Sequence, residues 1–273
     1  MASSPKLNLE EFWRVNERFP NGQAYNLAID AYEPGSVFKV ITMAAALDTE
    51  TVEPQTEFVD TGSIVVGGQT IYNWDRGAWG PQNMTTCLQH SLNVCLAWIA
   101  TQIGPTDFYE YIQDFGFGQT TGISLAGEYP GSFRVPSDSD WHEIDLGTNS
   151  FGQGITVTPV QMLQAVSAIA NDGKMVTPHI LKAVVNRDRQ YDITPEIAGT
   201  PISAETAHTL SEMLTVSLEE EASSALLSGY RLAGKTGTAE IYNRARTNAS
   251  FVGWGPVDDP QFMIYVWLRE PTT

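Results

Sequence analysis

Tyr32-Glu33-Pro34-Gly35-Ser36-Val37-Phe38-Lys39, with the apolar run Val40 to Leu47 behind it, is the stretch whose reading decides the fold. Pro34 and Gly35 predict a tight turn, and Ser36 opens a helix. A serine at a helix start lies beside unpaired backbone N–H groups and the positive end of the helix dipole. Both suit a carbonyl oxygen that turns negative when its carbon is attacked. Lys39 follows three residues later and shares the helical face of Ser36. The residues after it (Val40, Ile41, Met43, Ala44, Ala45, Ala46, Leu47) are apolar all round, the pattern of a helix buried in a domain centre. A serine and a lysine at the mouth of such a helix read as a nucleophile and its base. The bare Ser-x-x-Lys pattern recurs at Ser3-Ser4-Pro5-Lys6 with no buried helix behind it, so context carries the weight.

Length and composition bound the rest. A chain of 273 residues with 42% hydrophobic content can bury a substantial core. A formal charge of -17 leaves no basic stripe to meet phosphates, which argues against a nucleic-acid partner. No apolar run is long enough to span a bilayer, and no signal peptide is recognisable. Cys87 and Cys95 are too few for a disulfide scaffold and lack metal-ligand spacing. On one straight helix they would stand roughly 12 Å apart and could not bond. A break between them leaves a disulfide open. His90, His142, His179 and His208 show no ligand spacing, so neither a metal nor a cofactor is expected. Trp74, Trp79, Trp98 and Trp254 read as packing residues.

Along the chain, Leu7 to Phe19 fits an amphipathic helix. Residues 49 to 80 carry short strands at Phe58-Val59, Ser63 to Val66 and Gln69 to Asn73, the last two turning at Gly67-Gly68. Thr86 and Gln89 form a capping box at a helix start, and Ser91-Leu92-Asn93 breaks that helix before a second one from Val94 to about Ile103. A further helix covers Thr106 to Phe115, and residues 116 to 150 read as a long loop region. Thr158-Pro159-Val160-Gln161 is another capping box, opening a helix that runs to about Asn171 and stops at Gly173. A helix from Ser203 puts Leu210, Met213, Leu214 and Leu218 on one face. Gly234 to Glu240, Ser250 to Val257 and Gln261 to Arg269 are strands, the last two joined by a turn at Asp258-Asp259-Pro260. The expected fold class is α+β. Its sheet strands lie mainly in 230–270, and an all-helical lobe covers roughly 49–200.

Three short motifs stand in order: Ser36-x-x-Lys39, Ser91-x-Asn93 and Lys235-Thr236-Gly237. This trio resembles that of penicillin-binding proteins and serine β-lactamases. The resemblance extends to the whole segment Tyr32 to Lys39, to Ser91-Leu92-Asn93-Val94, and to Gly152-Gln153-Gly154-Ile155 with Thr158-Pro159. It also takes in Lys235-Thr236-Gly237-Thr238-Ala239 and Ser250-Phe251-Val252-Gly253-Trp254 with Pro256. It covers roughly residues 24 to 270 and is closest in style to the class B, monofunctional transpeptidases.

That resemblance implies one transpeptidase domain over 1–273. Ser36 would attack the D-Ala-D-Ala carbonyl of a peptidoglycan stem peptide and form an acyl-enzyme, while Lys39 takes its proton. Such a lysine must be neutral part of the time, which burial and a second nearby cation, Lys235, would promote. Ser91 would pass a proton to the departing D-Ala nitrogen, and Asn93 would orient the peptide amide. Lys235, Thr236 and Thr238 would hold the substrate carboxylate, with Ala239 closing the substrate-binding strand. Gly237 would let the acyl group approach the strand edge, and the N–H groups of Ser36 and Thr238 would form the oxyanion hole. β-Lactams would acylate Ser36, and the partner in a longer, membrane-anchored, extracytoplasmic protein would be a cell-wall glycosyltransferase. The family's usual pattern adds two sheet strands before Met1 and a helix after Thr273, so the chain reads as truncated at both ends. A β-lactamase of the same fold would need an extra base aimed at water. The Glu-x-x-Leu-Asn motif of one such class is absent, with Glu143-Ile144-Asp145-Leu146 a poor substitute. A β-lactam sensor domain, or a carboxypeptidase with water as the acceptor, would use the same serine and competes with the transpeptidase reading.

Overall fold

The structure is a computed structural model and describes residues 9–14, 17, 26–221, 226–240 and 247–271. Of the helix expected over Leu7 to Phe19, a 3-10 segment Leu9–Arg14 is present, and most of the remainder lies outside the described residues, as does Ser3-Ser4-Pro5-Lys6.

The serine segment begins with a 3-10 turn, Gly35–Phe38, that runs directly into helix α1, Lys39–Asp48. Every residue from Lys39 to Ala46 is buried, as an apolar run on all faces requires. Around α1 pack helices α2 (Met84–Gln89), α3 (Asn93–Ile103), α4 (Pro105–Asp114), α5 (Glu143–Asn149), α6 (Pro159–Ala170) and α7 (Ala204–Glu221). In α7 the predicted face Leu210, Met213, Leu214 and Leu218 is buried. Asp48, at the end of α1, accepts from Tyr111 Oη at 2.8 Å, from Ser203 N at 2.8 Å and from Thr206 Oγ1 at 2.8 Å. Burial pushes this carboxyl up, but those three donors outweigh it and hold it below the usual range.

Strands β1 (Glu57–Asp60), β2 (Ser63–Val66), β3 (Gln69–Tyr72) and β4 (Gly80–Asn83) form two antiparallel ribbons, β1 with β4 and β2 with β3. Gly67 and Gly68, at φ of 56° and 76°, turn the second as expected. Short strands β5 (Met175–Val176), β6 (Ala183–Val185), β7 (Gln190–Asp192) and β8 (Ile197–Gly199) pair as β5 with β8 and β6 with β7. The segment expected to be all-helical is therefore helices edged by ribbons; β-branched residues favour pairing in β2 and β6, and their antiparallel partners follow across short turns. The sheet itself is antiparallel, in the order β11 (Phe262–Leu268), β10 (Thr247–Gly255), β9 (Ala233–Glu240). On β11 the pleat divides the residues. Met263, Tyr265 and Trp267 pack on the core, while Phe262, Ile264, Val266 and Leu268 are exposed.

Two boundaries differ from the sequence reading. Helix α2 starts at Met84, where the Asn83 side chain accepts from Thr86 N and the Thr86 hydroxyl accepts from Asn83 N, both at 2.9 Å. Thr86 is thus the inner partner of a capping box and not its cap; Asn is as good an N-cap as Thr and lies three residues earlier. Within the expected loop 116–150, Glu143–Asn149 is a helix. Asp145 accepts from His142 N at 2.8 Å and pairs with Arg134 at 2.6 Å. The capping box at Thr158 and Gln161 stands as predicted, with Pro159 at the first helical position.

The serine turn is held by backbone. Tyr32 and Val157 exchange N–H···O bonds of 2.9 Å each way, Gly35 N donates to Gly152 O at 3.0 Å, and Gly154 N donates to the Glu33 carboxyl at 3.0 Å. Burial raises the Glu33 carboxyl, with the Gly154 N–H acting in the opposite direction. Tyr32 packs at a tilt against Trp267 with ring centroids 4.5 Å apart, and its hydroxyl is bonded to that of Tyr265. Burial pushes both phenols above their ordinary range. Gly152, at φ 80°, comes so close that a methyl there would stand 2.3 Å from Gly35 O. Gly152→Ala is expected to destabilise the fold by about 3 kcal/mol, from left-handed strain and overpacking together. Gly68→Ala is the control: its φ is 76° but nothing lies within 4 Å, so it should lose only about 1 kcal/mol. Denaturant midpoints of the two variants check this, and equal losses would show that close approach to Gly35 is not the constraint.

Candidate active site

A groove of about 840 Å³ brings together Ser36 from the serine turn, Ser91 and Asn93 from the junction of α2 and α3, and Thr236, Gly237 and Thr238 from β9. The three motifs, remote in sequence, therefore share one cavity. Ser36 is half-buried at its wall; Lys39 and Lys235 are fully buried behind it. Lys39 is thus as buried as the sequence reading expects.

Lys39 Nζ donates to Ser91 O at 2.5 Å, to Ser91 Oγ at 3.0 Å and to Asn93 Oδ1 at 2.8 Å. The other end of the Asn93 amide, Nδ2, donates to Tyr72 O at 3.2 Å. Asn93 thus orients Lys39 on one side and ties down the end of β3 on the other. A single amide can do both because it carries an acceptor and a donor on one rigid plane.

Ser91 occupies an unusual backbone position. Its φ is 53°, in the left-handed region that a residue with a Cβ enters only at a cost. Ser91 N donates to Leu88 O at 3.1 Å and Leu92 N to Cys87 O at 3.0 Å, so α2 ends in a Schellman turn with serine where glycine is usual. Across this turn Cys87 and Cys95 are disulfide-bonded with Cα atoms 6.1 Å apart. The break between α2 and α3 brings them within reach, and so decides a question that spacing alone left open. The bond staples the two helices on either side of Ser91 and Asn93.

Gly237 has a different role from the one expected. A methyl on it would stand 2.6 Å from Ser250 Oγ, 2.9 Å from Val37 Cγ1 and 3.0 Å from Val37 N. The missing side chain lets β9 lie against the serine turn; the space concerned is already filled by protein. Gly35, at φ 59°, matches it from the other side, where a methyl would stand 2.8 Å from Thr238 O. Thr236 and Thr238 line the groove, while Lys235 and Ala239 are buried.

Sequence reasoning missed one wall. Trp74 is 70% exposed and lines the groove with Tyr72, Arg76, Trp79 and His90. Trp79 stacks on His90 with centroids 4.4 Å apart, and Arg76 lies 4.7 Å over the Tyr72 ring. Trp74 is therefore not a packing residue and Trp79 packs on His90 at the groove wall, whereas Trp254 is buried and Trp98 packs on Phe58. The available signal was the run of polar and aromatic residues, Asn73 to Trp79, between two strands: aromatics in a loop have no core to enter.

Residues 1–273 match the penicillin binding protein transpeptidase domain. The chain is 35% identical over 282 residues to stage V sporulation protein D of Bacillus subtilis, covering 99% of this chain and 43% of that protein. It thus spans less than half the length of that relative. The D,D-transpeptidase domain of a peptidoglycan glycosyltransferase from Eggerthella lenta has the same fold (TM-score 0.91, 23% identity, all of this chain and 70% of that one). Penicillin binding protein 3 of Mycobacterium tuberculosis, in complex with aztreonam, superposes with a TM-score of 0.84 at 30% identity, over 94% of this chain and 60% of that one. With the trio of motifs gathered in one groove and the match running through every residue, the chain belongs to the penicillin-binding protein transpeptidase family, as a class B member.

Proposed function

We propose that residues 1–273 form the catalytic domain of a peptidoglycan D,D-transpeptidase. The observation that carries this reading is the Lys39 amine held on Ser91 and Asn93 beside a groove lined by Ser36 and Thr236 to Thr238. Ser36 Oγ attacks the carbonyl carbon of the penultimate D-Ala, and its proton passes to Lys39. The backbone N–H groups of Ser36 and Thr238 receive the negative oxygen, and Thr236 and Thr238 hold the terminal carboxylate, with Lys235 buried behind them. The C–N bond then breaks, and the proton travels through Ser91 to the departing D-Ala amine. An amine of a second stem peptide attacks the acyl-serine, forms the cross-link and returns a proton to Ser36 Oγ.

A β-lactam enters the same path as far as the acyl-serine. The sequence lacks the Glu-x-x-Leu-Asn motif that supplies a water-directing base in one β-lactamase class, and on this reading the adduct persists. In the longer protein we propose a membrane-anchored, extracytoplasmic domain working beside a glycosyltransferase that supplies the glycan strand. Among the described residues, no helix is long and apolar enough to cross a membrane.

Intact mass spectrometry after mixing with benzylpenicillin is the direct test. A whole-drug adduct lasting hours is expected, and none in Ser36→Ala. Rapid loss of the adduct with hydrolysed drug accumulating would point to a β-lactamase instead. A second test separates the hydroxyl of Ser91 from its backbone. Ser91→Ala and Ser91→Gly should both slow acylation about 100-fold, yet the glycine variant should be more stable than the alanine by about 1 kcal/mol. Unimpaired acylation in both would remove Ser91 from the proton path.

A further inference from the structure

Arg76 is a cation at the groove that makes no ion pair among the described residues, in a chain whose formal charge is -17. The described residues lining the groove include one arginine, Arg76, and one carboxylate side chain, Glu220, which already accepts from Gln89 Nε2. Arg76 also sits at φ 56°, a left-handed conformation that a long side chain adopts only where the surroundings impose it.

Those surroundings are a rigid loop. Asn73, 2% exposed, donates to Asp60 Oδ2 at 2.8 Å and to Gly77 O at 3.1 Å, and accepts from Val94 N at 3.2 Å. Asp60, 1% exposed, also accepts from Trp79 N at 2.9 Å. Arg76 N closes the turn on Asn73 O at 3.0 Å. Two buried polar side chains thus fix the loop to the start of α3, next to Asn93. The guanidinium carbon lies 4.7 Å from the Tyr72 ring centroid, a cation–π contact that still leaves the guanidinium N–H groups to meet a planar anion. Trp74 and the Trp79–His90 stack supply apolar surface alongside.

We propose that Arg76, with Tyr72, Trp74 and Trp79, is a specificity subsite that binds a carboxylate of the peptide substrate on the Asn93 side of the groove. This rests on the transpeptidase reading above. The carboxylate has two sources, the donor peptide that acylates Ser36 and the acceptor peptide whose amine releases it. Arg76 takes no part in bond making and acts on which peptides are held.

The test uses Arg76→Gln and Arg76→Lys, both on an exposed side chain, with melting temperature as the folding control. In the first arm, acylation rates are measured with benzylpenicillin and with its analogue bearing a carboxylate on the benzylic carbon. In the second, release of the acyl group is measured with an amino acid acceptor and with its carboxamide. A donor-side subsite predicts that Arg76→Gln lowers the rate for the carboxylated penicillin about tenfold, leaves benzylpenicillin within about twofold, and is largely rescued by Arg76→Lys. An acceptor-side subsite predicts unchanged acylation and a similar selective loss for the carboxylated acceptor. Equal effects on charged and uncharged partners in both arms would overturn the proposal. Failure of benzylpenicillin to acylate the unaltered protein would instead overturn the transpeptidase reading itself, so the two failures are distinguishable.

Discussion

The contact on which the rest of the structure depends is backbone against backbone at the serine turn. Gly35 donates to Gly152, and β9 lies against the same turn through Gly237. At each of these three positions a methyl group would come within 3.0 Å of atoms already in place. Side chains are absent where the segments cross, so the position of Ser36 is set by peptide groups, which are stiffer and fewer in conformation than side-chain packing. The groove inherits that stiffness. Its walls come from segments separated by scores of residues; β9 lies against this turn, and Ser91 and Asn93 are tied to Lys39 just behind it.

The second constraint lies in the interrupted helix pair α2 and α3. A continuous helix from Met84 to Ile103 would keep its N–H groups paired and leave Ser91 in ordinary helical geometry. Instead the chain turns with Ser91 left-handed, at a local cost of roughly 1–2 kcal/mol. What opposes that cost is visible nearby. The Schellman bonds satisfy the end of α2, the disulfide closes the far side of the turn, and Lys39 draws in both the carbonyl and the hydroxyl of Ser91. Strain at a residue that faces the groove is consistent with a conformation kept for chemistry and not for stability.

Much of this was legible in the sequence because it depends on local rules. A buried helix behind Ser36, the Gly67-Gly68 hairpin, the Thr158 cap and the break at Ser91 all follow from propensity, turn chemistry and period within about ten residues. The short helix Glu143–Asn149 was not legible, since seven residues containing Gly147 carry little periodicity and are set by long-range contacts such as Arg134 with Asp145. The start of α2 was misplaced because Asn83 and Thr86 can both cap, and only their reciprocal bonds decide which does. The meaning of Gly237 was hidden for another reason. A glycine in a strand announces close approach, but the sequence does not say by what.

The aromatic wall shows the same limit from the side of electrostatics. A charge of -17 describes the far field, and that field opposes any substrate carrying a carboxylate. At physiological salt it is screened beyond about 8 Å, so it governs neither capture nor orientation inside the groove. There the nearest charges and dipoles decide, and those of the described lining are few: Arg76 on its aromatic seat, and Glu220 bound to Gln89. Lys39 and Lys235 stand behind the wall, fully buried. On the proposed reading, an acidic protein presents a local cation, Arg76, to an anionic peptide without a basic surface. The peptide must come close before it is attracted, and selectivity then depends on the shape of the groove walls.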